Sequence, residues 1–365
     1  MKVKVTLTGG GTGGHLYPGL AIVEELGKRM NCHVQYIGTR HGVENQIIPD
    51  TGYQFNKIWM SGIHRGRIVA NLLFPAKMMV SFFQALVLLI LFRPDVVIGT
   101  GGYVSWPVLM AASFLRTPRY IQEQNKVPGL VTKVLAPLVS CVFLSFEISK
   151  QYFKKQGNLV VCGNPTRHLN QIRRSTDIFR QFKLNPSCIT LFVFGGSQGA
   201  RGINTAILSR IESLMKIQRL QLLWATGPKW YSDCVSGANP YQDRICVMPY
   251  IYDMGAAYAI SDIILCRSGA TTIAEITNIG KPAIYIPFPA AAGNHQQTNA
   301  RVLADAGAAV MVLESEIASG KLDAVLMDLI NHAEKRRVMA EAAKTFGHPD
   351  AAKKIADRII QEIQA

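Results

Sequence analysis

The 365-residue sequence has few charged residues, 17% of the total, and none of the short cysteine spacings that mark small metal or disulfide sites. Its seven cysteines include no Cys-x-x-Cys pair, so the sequence predicts neither a zinc site nor a disulfide framework. Several lie in apolar runs such as Leu159–Cys162, which is typical of buried, reduced thiols in a cytosolic protein. The first residues also lack the apolar run and cleavage site of a signal peptide, so we expect the protein to stay inside the cell.

Positive charge, by contrast, is in excess. The 39 basic residues outnumber the 24 acidic ones and leave a formal charge of +15. This balance favours a polyanionic partner, which can be nucleic acid, acidic lipid headgroups or a phosphorylated substrate. The length exceeds what one hydrophobic core usually supports, and 48% of the residues are hydrophobic, so we expect two well-packed domains rather than disorder.

Short β-rich runs alternate with helical stretches along the whole chain. This alternation predicts an α/β protein made of two Rossmann-like, doubly wound parallel sheets. The predicted strands lie near Val3–Thr8, Val34–Ile37, Val96–Ile98, Arg119–Gln122, Val139–Leu144, Leu159–Cys162, Thr190–Phe194, Gln221–Trp224, Ile245–Val247, Ile263–Cys266, Ala283–Ile286 and Ala309–Val312.

The predicted linker between the two sets of strands is Gly163-Asn164-Pro165. We therefore expect one domain over residues 1–163 and a second over residues 164–345. Residues 346–365 form a last amphipathic helix, which we expect to pack back on the first domain. Ligands of such sheets bind at the carboxyl ends of the strands, here in a cleft between the domains.

The first predicted strand runs into a glycine-rich loop, Gly9–His15, that precedes a helix. Glycines let a ligand approach the backbone, and the helix N-terminus offers N–H groups to phosphate. The loop fits the G-x-G-x-x-G pattern of dinucleotide-binding folds, which also expects an acid at the end of the second strand. That strand ends in Tyr36–Arg40 without one, and no Gly-Lys-Ser/Thr follows the glycines, so a dehydrogenase or a P-loop enzyme is not favoured.

Two further loops of this kind follow other strands, Gly99–Ser105 in the first half and Gly195–Arg201 in the second. Three such loops, each at the carboxyl end of a strand, predict a cleft that holds diphosphate groups from both sides. The segment Arg267–Glu275 adds another junction between a strand and a helix. Within it Thr271 and Glu275 share a helix face, so Glu275 either accepts the ribose hydroxyls or is an acid stabilised by the helix dipole, and we favour ribose binding.

These segments together resemble glycosyltransferase family 28, in particular the MurG family of bacterial N-acetylglucosaminyltransferases. The resemblance covers essentially the whole chain in matching order and rests on Gly10–His15, Gly99–Ser105, Gln122–Asn125, Gly163–Arg167, Gly195–Arg201, Arg267–Glu275 and His295–Gln297. It implies the GT-B fold and inverting transfer of GlcNAc from UDP-GlcNAc to the 4-hydroxyl of undecaprenyl-pyrophosphoryl-MurNAc-pentapeptide, the lipid I to lipid II step of peptidoglycan synthesis. It further implies a peripheral protein on the cytoplasmic face of the plasma membrane. The implied partners are anionic lipids and other cell-wall synthesis proteins, with no nucleic acid and no cofactor.

The resemblance also implies which residues bind the donor. In the first half Thr12, Gly13 and Gly14 line the donor cleft, and Asn125 contacts the donor. Arg167, just after the linker, belongs to the same site.

In the second half Ser197 lies near the phosphates, Ile251 presents its backbone to the uracil, and Gln296 reads the GlcNAc hydroxyls. The pyrophosphate and ribose are held by one helix start, consisting of Ala270, Thr271, Thr272, Ile273, Ala274 and Glu275. The chain contains no Asp-x-Asp pair of the kind that holds a metal on a nucleotide diphosphate. We therefore expect helix dipoles, backbone N–H groups and Arg167, rather than an obligatory metal, to neutralise the leaving group.

An inverting transfer needs a base that removes the acceptor proton while the anomeric carbon is attacked. His15 is the first candidate because histidine titrates near neutral pH, although a role as a neutral donor to sugar or phosphate fits its position equally well. Glu123 is the second candidate, and a structural role for it is equally consistent with the sequence. The resemblance leaves the choice of base open.

The most apolar stretch is Met78–Phe92, which as a helix is about 22 Å long and shorter than the ~30 Å hydrocarbon core. We do not expect it to span a membrane, because a strand of the first sheet follows at once. We expect its Leu and Phe side chains to face mostly inward, beside an apolar and basic patch that contacts lipid. The basic residues of that patch are predicted to be His64, Arg65, Arg67 and Lys77.

Two other classes of function compete with this one. A lipid glycosyltransferase or a UDP-GlcNAc epimerase would use the same donor cleft, and an epimerase would need no lipid patch. A nucleic-acid binder would explain the charge, but the basic residues are not interleaved with aromatic ones and no nucleic-acid motif is present.

Overall fold

The computed structural model describes residues 2–62, 73–166 and 173–364, and the chain divides into two compact units. Unit 1 comprises Met1–Arg167 together with His348–Ala365, and unit 2 comprises His168–Gly347. Each unit has its own parallel sheet and its own hydrophobic cores, and the elements below are numbered in chain order.

The sheet of unit 1 has seven strands in the order β3-β2-β1-β4-β5-β6-β7, and all neighbouring pairs are parallel. The order reverses between β1 and β4, which makes the carboxyl ends of these two strands the switch point where such folds bind ligands. The strands are β1 Lys2–Thr8, β2 Asn31–Thr39, β3 Gln54–Ile58, β4 Val96–Gly99, β5 Arg119–Glu123, β6 Cys141–Leu144 and β7 Leu159–Val161.

Helices cover both faces of this sheet. They are α1 Gly13–Gly27, α2 Glu44–Ile47, α3 Phe74–Phe92, α4 Ser105–Phe114, α5 Leu130–Leu135 and, from the end of the chain, α15 Ala351–Gln364, with short 3-10 helices at Ile48–Thr51, Ala136–Leu138 and Glu147–Tyr152. Helices α1 and α15 pack on one face, and α3, α4 and α5 pack on the other. Strands covered on both faces are almost entirely apolar, which is why β4 and β6 read as unbroken hydrophobic runs.

Helix α15 belongs to the core of unit 1 although it is encoded after unit 2. Its Ile355 and Ile359 are fully buried with Leu16 and Ile22 of α1. The hydroxyl of Tyr120, on β5, donates a hydrogen bond of 2.6 Å to the Glu362 carboxylate of this helix. The last helix therefore completes one face of the first sheet.

Unit 2 has a six-stranded parallel sheet in the order β10-β9-β8-β11-β12-β13, with the switch point between β8 and β11. Its strands are β8 Ile189–Phe194, β9 Leu220–Ala225, β10 Ile245–Met248, β11 Ile263–Cys266, β12 Ala283–Tyr285 and β13 Val310–Met311. Its helices are α6 Thr176–Gln181, α7 Arg201–Leu208, α8 Ile211–Met215, α9 Tyr231–Ala238, α10 Met254–Ile260, α11 Ala270–Ile279, α12 His295–Asp305, α13 Lys321–Asn331 and α14 Ala333–Lys344, with 3-10 helices at Pro228–Trp230, Asn239–Tyr241, Ala292–Asn294 and Glu314–Glu316.

The predicted α/β class with two parallel sheets is confirmed, and each predicted strand coincides with an observed one to within a few residues. Within the described residues, the strand that the sequence did not reveal is β3, an edge strand in which Gln54, Asn56 and Lys57 are polar and only Phe55 and Ile58 are apolar. Only its last residue, Ile58, is fully buried, so the strand lacks the continuous apolar run that identifies the central strands.

Helix α3 is less buried than the sequence suggested. By length and composition it is apolar and long enough to cross a membrane, yet only 17% of its most apolar window is buried. The expectation that its Leu and Phe side chains face mostly inward is only partly right, because Leu89 and Phe92 are buried whereas Phe83 and Leu91 are exposed. The inward stripe is completed by small residues, Ser81 and Ala85, which let the helix lie close to the sheet.

The outward face of α3 continues onto its neighbours, since α3 packs beside α4 and α4 beside α5. We call the exposed hydrophobic side chains of this surface the three-helix patch. They are Met79, Val80, Phe83, Val87, Ile90 and Leu91 on α3, Phe114 on α4, and Leu130, Val134 and Leu138 on and just after α5. A monomeric protein rarely exposes so many large apolar side chains together unless the surface contacts a partner or a lipid phase.

All seven cysteines are unpaired, as the sequence predicted. Cys141, Cys162, Cys234 and Cys266 are buried, and the other three are intermediate in exposure. Burial raises the pKa of the Cys141 and Cys234 thiols to about 12, so at neutral pH these groups are uncharged and unreactive.

The packing of α15 predicts that Ile359→Ala lowers the free energy of unfolding of unit 1 by roughly 2–5 kcal/mol, because a fully buried side chain is replaced by a cavity. Denaturant unfolding followed by circular dichroism measures the loss. The matched control is Lys353→Ala on the exposed side of the same helix, which we expect to change stability by less than about 0.5 kcal/mol. Equal unfolding midpoints for the two variants would contradict the assignment of α15 to the core.

Candidate active site

In unit 1 the candidate site is built where three neighbouring strands end. The loop after β1 leads into α1, with Thr12 as its N-cap residue and Gly13, Gly14 and His15 in its first turn. The helix therefore presents its first backbone N–H groups at the switch point, where they have no acceptor within the helix. The Thr12 side chain makes no capping hydrogen bond.

His15 connects this loop to the ends of the next two strands. Its Nδ1 lies 2.9 Å from the carbonyl oxygen of Thr100, which follows β4, and 3.0 Å from Oε1 of Gln124, which follows β5. The His15 ring is half-buried, and no hydrogen bond to its Nε2 occurs in the described part of the chain. The ring is thus held through Nδ1, and Nε2 is left without a hydrogen bond to the described residues.

Glu123 occupies a different position from His15, because its carboxylate is turned into the protein. One oxygen accepts hydrogen bonds from the backbone N–H and the side-chain amide of Asn125, at 3.1 and 3.2 Å. The other accepts from the Gly129 N–H at 3.0 Å and from the Thr132 hydroxyl at 2.7 Å. The Glu123 side chain is 4% exposed and accepts four hydrogen bonds. It therefore fixes the loop after β5 and holds Asn125 beside it.

A second buried carboxylate, Glu44, holds the first glycine loop, and the sequence analysis did not identify it. It accepts hydrogen bonds from the Gly11 N–H at 3.1 Å and from the N–H and hydroxyl of Thr39 at 3.0 and 2.8 Å. The Tyr36 hydroxyl donates to the carbonyl of Gly9 in the same loop. Glu44 is thus an acid that follows β2, five residues beyond Thr39, and it holds the first glycine loop by hydrogen bonds. Its signal is weak because four residues without regular pattern separate it from the strand.

In unit 2 the loops after β8 and β11 lie side by side at the switch point. Ser197 is exposed in the first of them, directly before α7. The turn depends on Gly199, whose φ is +74° and where an added Cβ would lie 1.9 Å from the carbonyl oxygen of Thr226. Only glycine fits there, so the loop keeps its N–H groups open to the edge of the sheet.

Helix α11 starts immediately after the second loop and contains six of the predicted residues. Ala270, Thr271 and Thr272 form its first turn, where the N–H groups have no intrahelical acceptor. Ile273 is different, since its side chain is buried and its N–H donates to the Gly269 carbonyl at 2.9 Å. The Thr271 hydroxyl oxygen is buried and has no hydrogen-bond partner among the described residues, which makes it an orphaned polar atom beside the predicted pyrophosphate position.

Glu275 follows one turn later on the same helix face as Thr271, and Ala274 beside it is half-buried. The Glu275 side chain is 4% exposed, and one oxygen accepts a hydrogen bond of 2.9 Å from the Tyr258 hydroxyl of α10. Tyr258 therefore orients the carboxylate. The sequence did not reveal this partner, because the two residues are seventeen positions apart and meet only through helix packing.

Gln296 joins this region through the first turn of α12. Its backbone carbonyl accepts a hydrogen bond of 3.0 Å from the Ser268 hydroxyl, and its side-chain oxygen accepts one of 2.9 Å from the Phe288 N–H. Arg267 fixes the same loops, donating to the carbonyls of Ile286 and Pro287 and forming an ion pair of 2.7 Å with Glu314. No hydrogen bond from the Gln296 side-chain nitrogen occurs within the described residues.

The structure brings the predicted residues together in two groups. In unit 1 Thr12–His15 lie beside Glu123–Asn125, and in unit 2 Ala270–Glu275 lie beside Gln296. Ile251 is buried in the loop between the edge strand β10 and helix α10. Arg167 lies outside the described residues.

Comparison with known proteins identifies matches over nearly the whole chain. The model of the glycosyltransferase family 28 N-terminal domain matches residues 5–144, and that of the family 28 C-terminal domain matches residues 190–355. The two matches lie in unit 1 and mainly in unit 2, respectively.

Curated relatives are similar along their full length. The UDP-N-acetylglucosamine--N-acetylmuramyl-(pentapeptide) pyrophosphoryl-undecaprenol N-acetylglucosamine transferase of Chlorobium limicola is 39% identical, over 98% of this chain and 99% of the relative. The enzyme of the same description from Chlorobaculum tepidum is 41% identical with the same coverage.

Among solved structures, that of Acinetobacter baumannii MurG has a TM-score of 0.78 and 28% identity, covering 98% of this chain and 99% of that one. A UDP-N-acetylglucosamine 2-epimerase has a TM-score of 0.67 at 15% identity, covering 100% of this chain and 97% of that one. The second similarity is one of fold alone.

The loop after β8 yields a prediction about two of its glycines. Gly199→Ala places a methyl group against the Thr226 carbonyl at a positive φ, so we expect it to destabilise unit 2 by more than about 3 kcal/mol. Gly196→Ala is the matched control, since its φ is also positive, +95°, but an added Cβ meets no described atom within 4 Å. We expect a cost of about 1–2 kcal/mol there. Denaturant unfolding of both variants measures the difference, and equal costs would show that the contact with Thr226 does not constrain the loop.

Proposed function

Because the chain belongs to glycosyltransferase family 28 and has its GT-B fold of two Rossmann-like units, we propose that it transfers GlcNAc from UDP-GlcNAc to undecaprenyl-pyrophosphoryl-MurNAc-pentapeptide. The acceptor group is the 4-hydroxyl of MurNAc, and the transfer inverts the anomeric carbon. The observation that carries the proposal is the 39–41% identity, over 98% of the chain, to curated transferases named for this reaction.

Unit 2 supplies the donor site in this proposal. The first turn of α11 and the loop around Ser197 direct N–H groups at the pyrophosphate, which stabilises the charge that develops on the leaving UDP. Glu275, oriented by Tyr258, accepts hydrogen bonds from the ribose hydroxyls. Gln296 reads the GlcNAc hydroxyls with its side-chain nitrogen.

Further donor contacts complete the proposed site. The backbone at Ile251 is assigned to the uracil, and Asn125 and the first turn of α1 are assigned to the donor. Arg167 remains part of the proposal although it lies outside the described residues. Each of these assignments rests on the motif in which the residue stands.

Unit 1 supplies the base, and we assign this role to His15. Its Nε2 removes the proton of the acceptor hydroxyl while that oxygen forms a bond to the anomeric carbon and the bond to UDP breaks, UDP leaving with the electron pair. Glu123 is assigned to positioning instead, because its two oxygens already accept four hydrogen bonds and the side chain is buried.

The decisive experiment incubates the purified protein with UDP-GlcNAc and a short-chain lipid-linked MurNAc-pentapeptide. We expect UDP release that requires the acceptor, and a disaccharide product. Consumption of UDP-GlcNAc without the acceptor would point to an epimerase instead, and turnover with a different lipid acceptor only would assign the enzyme to another lipid glycosyltransferase.

In the same assay we expect His15→Ala to lower kcat by about 10²–10⁴-fold, the usual contribution of a general base. Binding of UDP-GlcNAc, measured by calorimetry, is expected to persist because unit 2 holds most of the donor. His33→Ala, which changes an exposed histidine on β2, serves as the control. A His15→Ala variant with unchanged kcat would remove His15 from the reaction.

We further propose that the three-helix patch docks on the cytoplasmic face of the membrane, which makes the protein a peripheral membrane enzyme. A lipid-linked acceptor requires the protein to work at that surface. The distribution of charge also favours unit 1 as the part of the chain that meets the membrane. Unit 1 carries 21 Lys and Arg against 10 Asp and Glu, a formal excess of 11, whereas unit 2 has an excess of 4. Anionic headgroups attract a unit with this excess of positive charge.

Of the four basic residues that the sequence predicted to contact lipid, Lys77 is the one that lies within the described residues. Its Nζ donates to the Ser61 hydroxyl at 2.9 Å and lies 5.8 Å from the ring centre of Trp59. His64, Arg65 and Arg67 lie outside the described residues.

The patch predicts the effect of a triple substitution. Leu91, Phe114 and Leu130 are each more than 70% exposed, so changing all three to Glu is expected to leave the fold intact. Sedimentation with vesicles that contain anionic lipid should show at least tenfold weaker binding, because three apolar contacts are lost and three like charges are added. The control changes three exposed apolar residues of unit 2, Val235, Met327 and Val338, to Glu. Equal binding by both triple variants would overturn the assignment of the patch.

A further inference from the structure

We propose that Gln124 is a positioning residue that fixes the tautomer of His15, keeping the proton on Nδ1 and the lone pair on Nε2. The kinetic part of this inference rests on the proposed function, whereas the tautomer itself can be measured without turnover. Gln124 was not among the residues that the sequence analysis selected, although it stands between Glu123 and Asn125.

The orientation of the Gln124 amide follows from its surroundings. The side chain is 2% exposed, and its Nε2 lies 2.7 Å from the Thr100 carbonyl oxygen, 3.1 Å from the Gln122 carbonyl oxygen and 2.5 Å from Gln122 Oε1. These three atoms only accept hydrogen bonds. The nitrogen end of the amide must face them, so the oxygen end must face His15.

The Gln122 amide is oriented in turn. Its Nε2 donates to the Asn164 side-chain oxygen at 3.1 Å and to the Ser145 hydroxyl at 3.2 Å. The Ser145 hydroxyl donates its hydrogen to the Glu123 backbone carbonyl at 2.8 Å, so its oxygen can only accept a hydrogen bond from Gln122. A buried chain of amides therefore leads from Asn164 through Gln122 to Gln124 with one consistent direction of donation.

His15 receives the end of this chain. Its Nδ1 faces two oxygens, Gln124 Oε1 at 3.0 Å and the Thr100 carbonyl at 2.9 Å, and neither can donate a proton to it. A lone pair on Nδ1 would oppose the lone pairs of both oxygens, so Nδ1 carries the hydrogen. In the neutral ring Nε2 then has the lone pair, which is the form that a general base requires.

This role explains why an amide occupies position 124. A carboxylate there would turn one oxygen toward three other oxygens, and an apolar residue would remove one of the two acceptors at His15 Nδ1 and the N–H donor to the Gln122 side-chain oxygen. Only a side chain with a donor at one end and an acceptor at the other satisfies both sides.

The test compares two variants with the same change, Gln124→Met and Gln35→Met. Gln35 is also buried in the sheet of unit 1, where it accepts a hydrogen bond from the Thr6 hydroxyl, but it lies on β2 away from the site. The control therefore matches the loss of a buried amide and its effect on folding.

The first readout is the ¹⁵N spectrum of histidine-labelled protein above the pH at which imidazoles are protonated, with the His15 signals identified by their loss in His15→Asn. We expect the wild type and Gln35→Met to show a protonated Nδ1 and an unprotonated Nε2. We expect Gln124→Met to gain the other tautomer, since one of the two acceptors at Nδ1 is gone. A wild-type ring protonated at Nε2, or a ratio that Gln124→Met leaves unchanged, would overturn the inference.

The second readout is steady-state kinetics. We expect Gln124→Met to lower kcat at least tenfold with the KM for UDP-GlcNAc within about threefold, and Gln35→Met to change neither beyond threefold. If Gln124→Met changes the tautomer but not kcat, the inference that Gln124 fixes the tautomer stands. That result would show that His15 is not the base, so the proposed function of His15 would fail instead. A rise in KM alone would identify Gln124 as a donor-binding residue and overturn the inference.

Discussion

The candidate site in unit 1 depends on the close contact between the loops that follow β1 and β4. Neighbouring parallel strands lie only about 4.8 Å apart, so two loops leaving their ends collide unless both are nearly free of side chains. Here an added Cβ on Gly102 would lie 2.7 Å from the carbonyl oxygen of Gly10. Because glycine stands at both positions, the loops touch through their backbones and His15 can reach the carbonyl of Thr100.

The same geometry recurs in unit 2, where the loops after β8, β11 and β12 lie side by side. Arg267 donates to the carbonyls of Ile286 and Pro287, and Ser268 donates to the carbonyl of Gln296, so the segments after β11 and β12 are connected by hydrogen bonds to backbone groups. Both sites are therefore made from the ends of three adjacent strands with short loops between sheet and helix. This arrangement limits how far each predicted residue can move, since most of them stand within a few residues of a sheet strand.

Much of this could be read from the sequence. Apolar runs ending in glycine loops identified the central strands and the residues at their ends, because burial on both faces leaves no room for polar residues within those strands. The edge strand β3 was not predicted, since three of its five residues are polar, as in a surface segment. For α3 the sequence predicted an apolar patch but not that Phe83 and Leu91 themselves are exposed, since hydrophobic residues usually predict burial.

The sequence did not predict the hydrogen-bond partners of the functional side chains. Glu123 is acidic and stands in a motif, yet its four hydrogen bonds come from residues up to nine positions away. Gln124, Glu44 and Tyr258 have no distinctive spacing, and their roles follow from the atoms with which they form hydrogen bonds. Sequence identifies the residue types that chemistry needs, whereas the direction of a carboxylate or an amide is decided by packing.

The placement of α15 also determines the order in which the chain can fold during synthesis. Unit 2 is continuous in sequence and has all its residues once His168–Gly347 has left the ribosome. Unit 1 is discontinuous, and the sheet face that α1 and α15 share is only partly covered until Ala351–Gln364 has been made. The first half of the nascent chain must therefore wait, with the apolar surface that binds α15 unprotected, while the entire second unit is translated. The N-terminal unit, which carries His15, is then the last to reach its finished form.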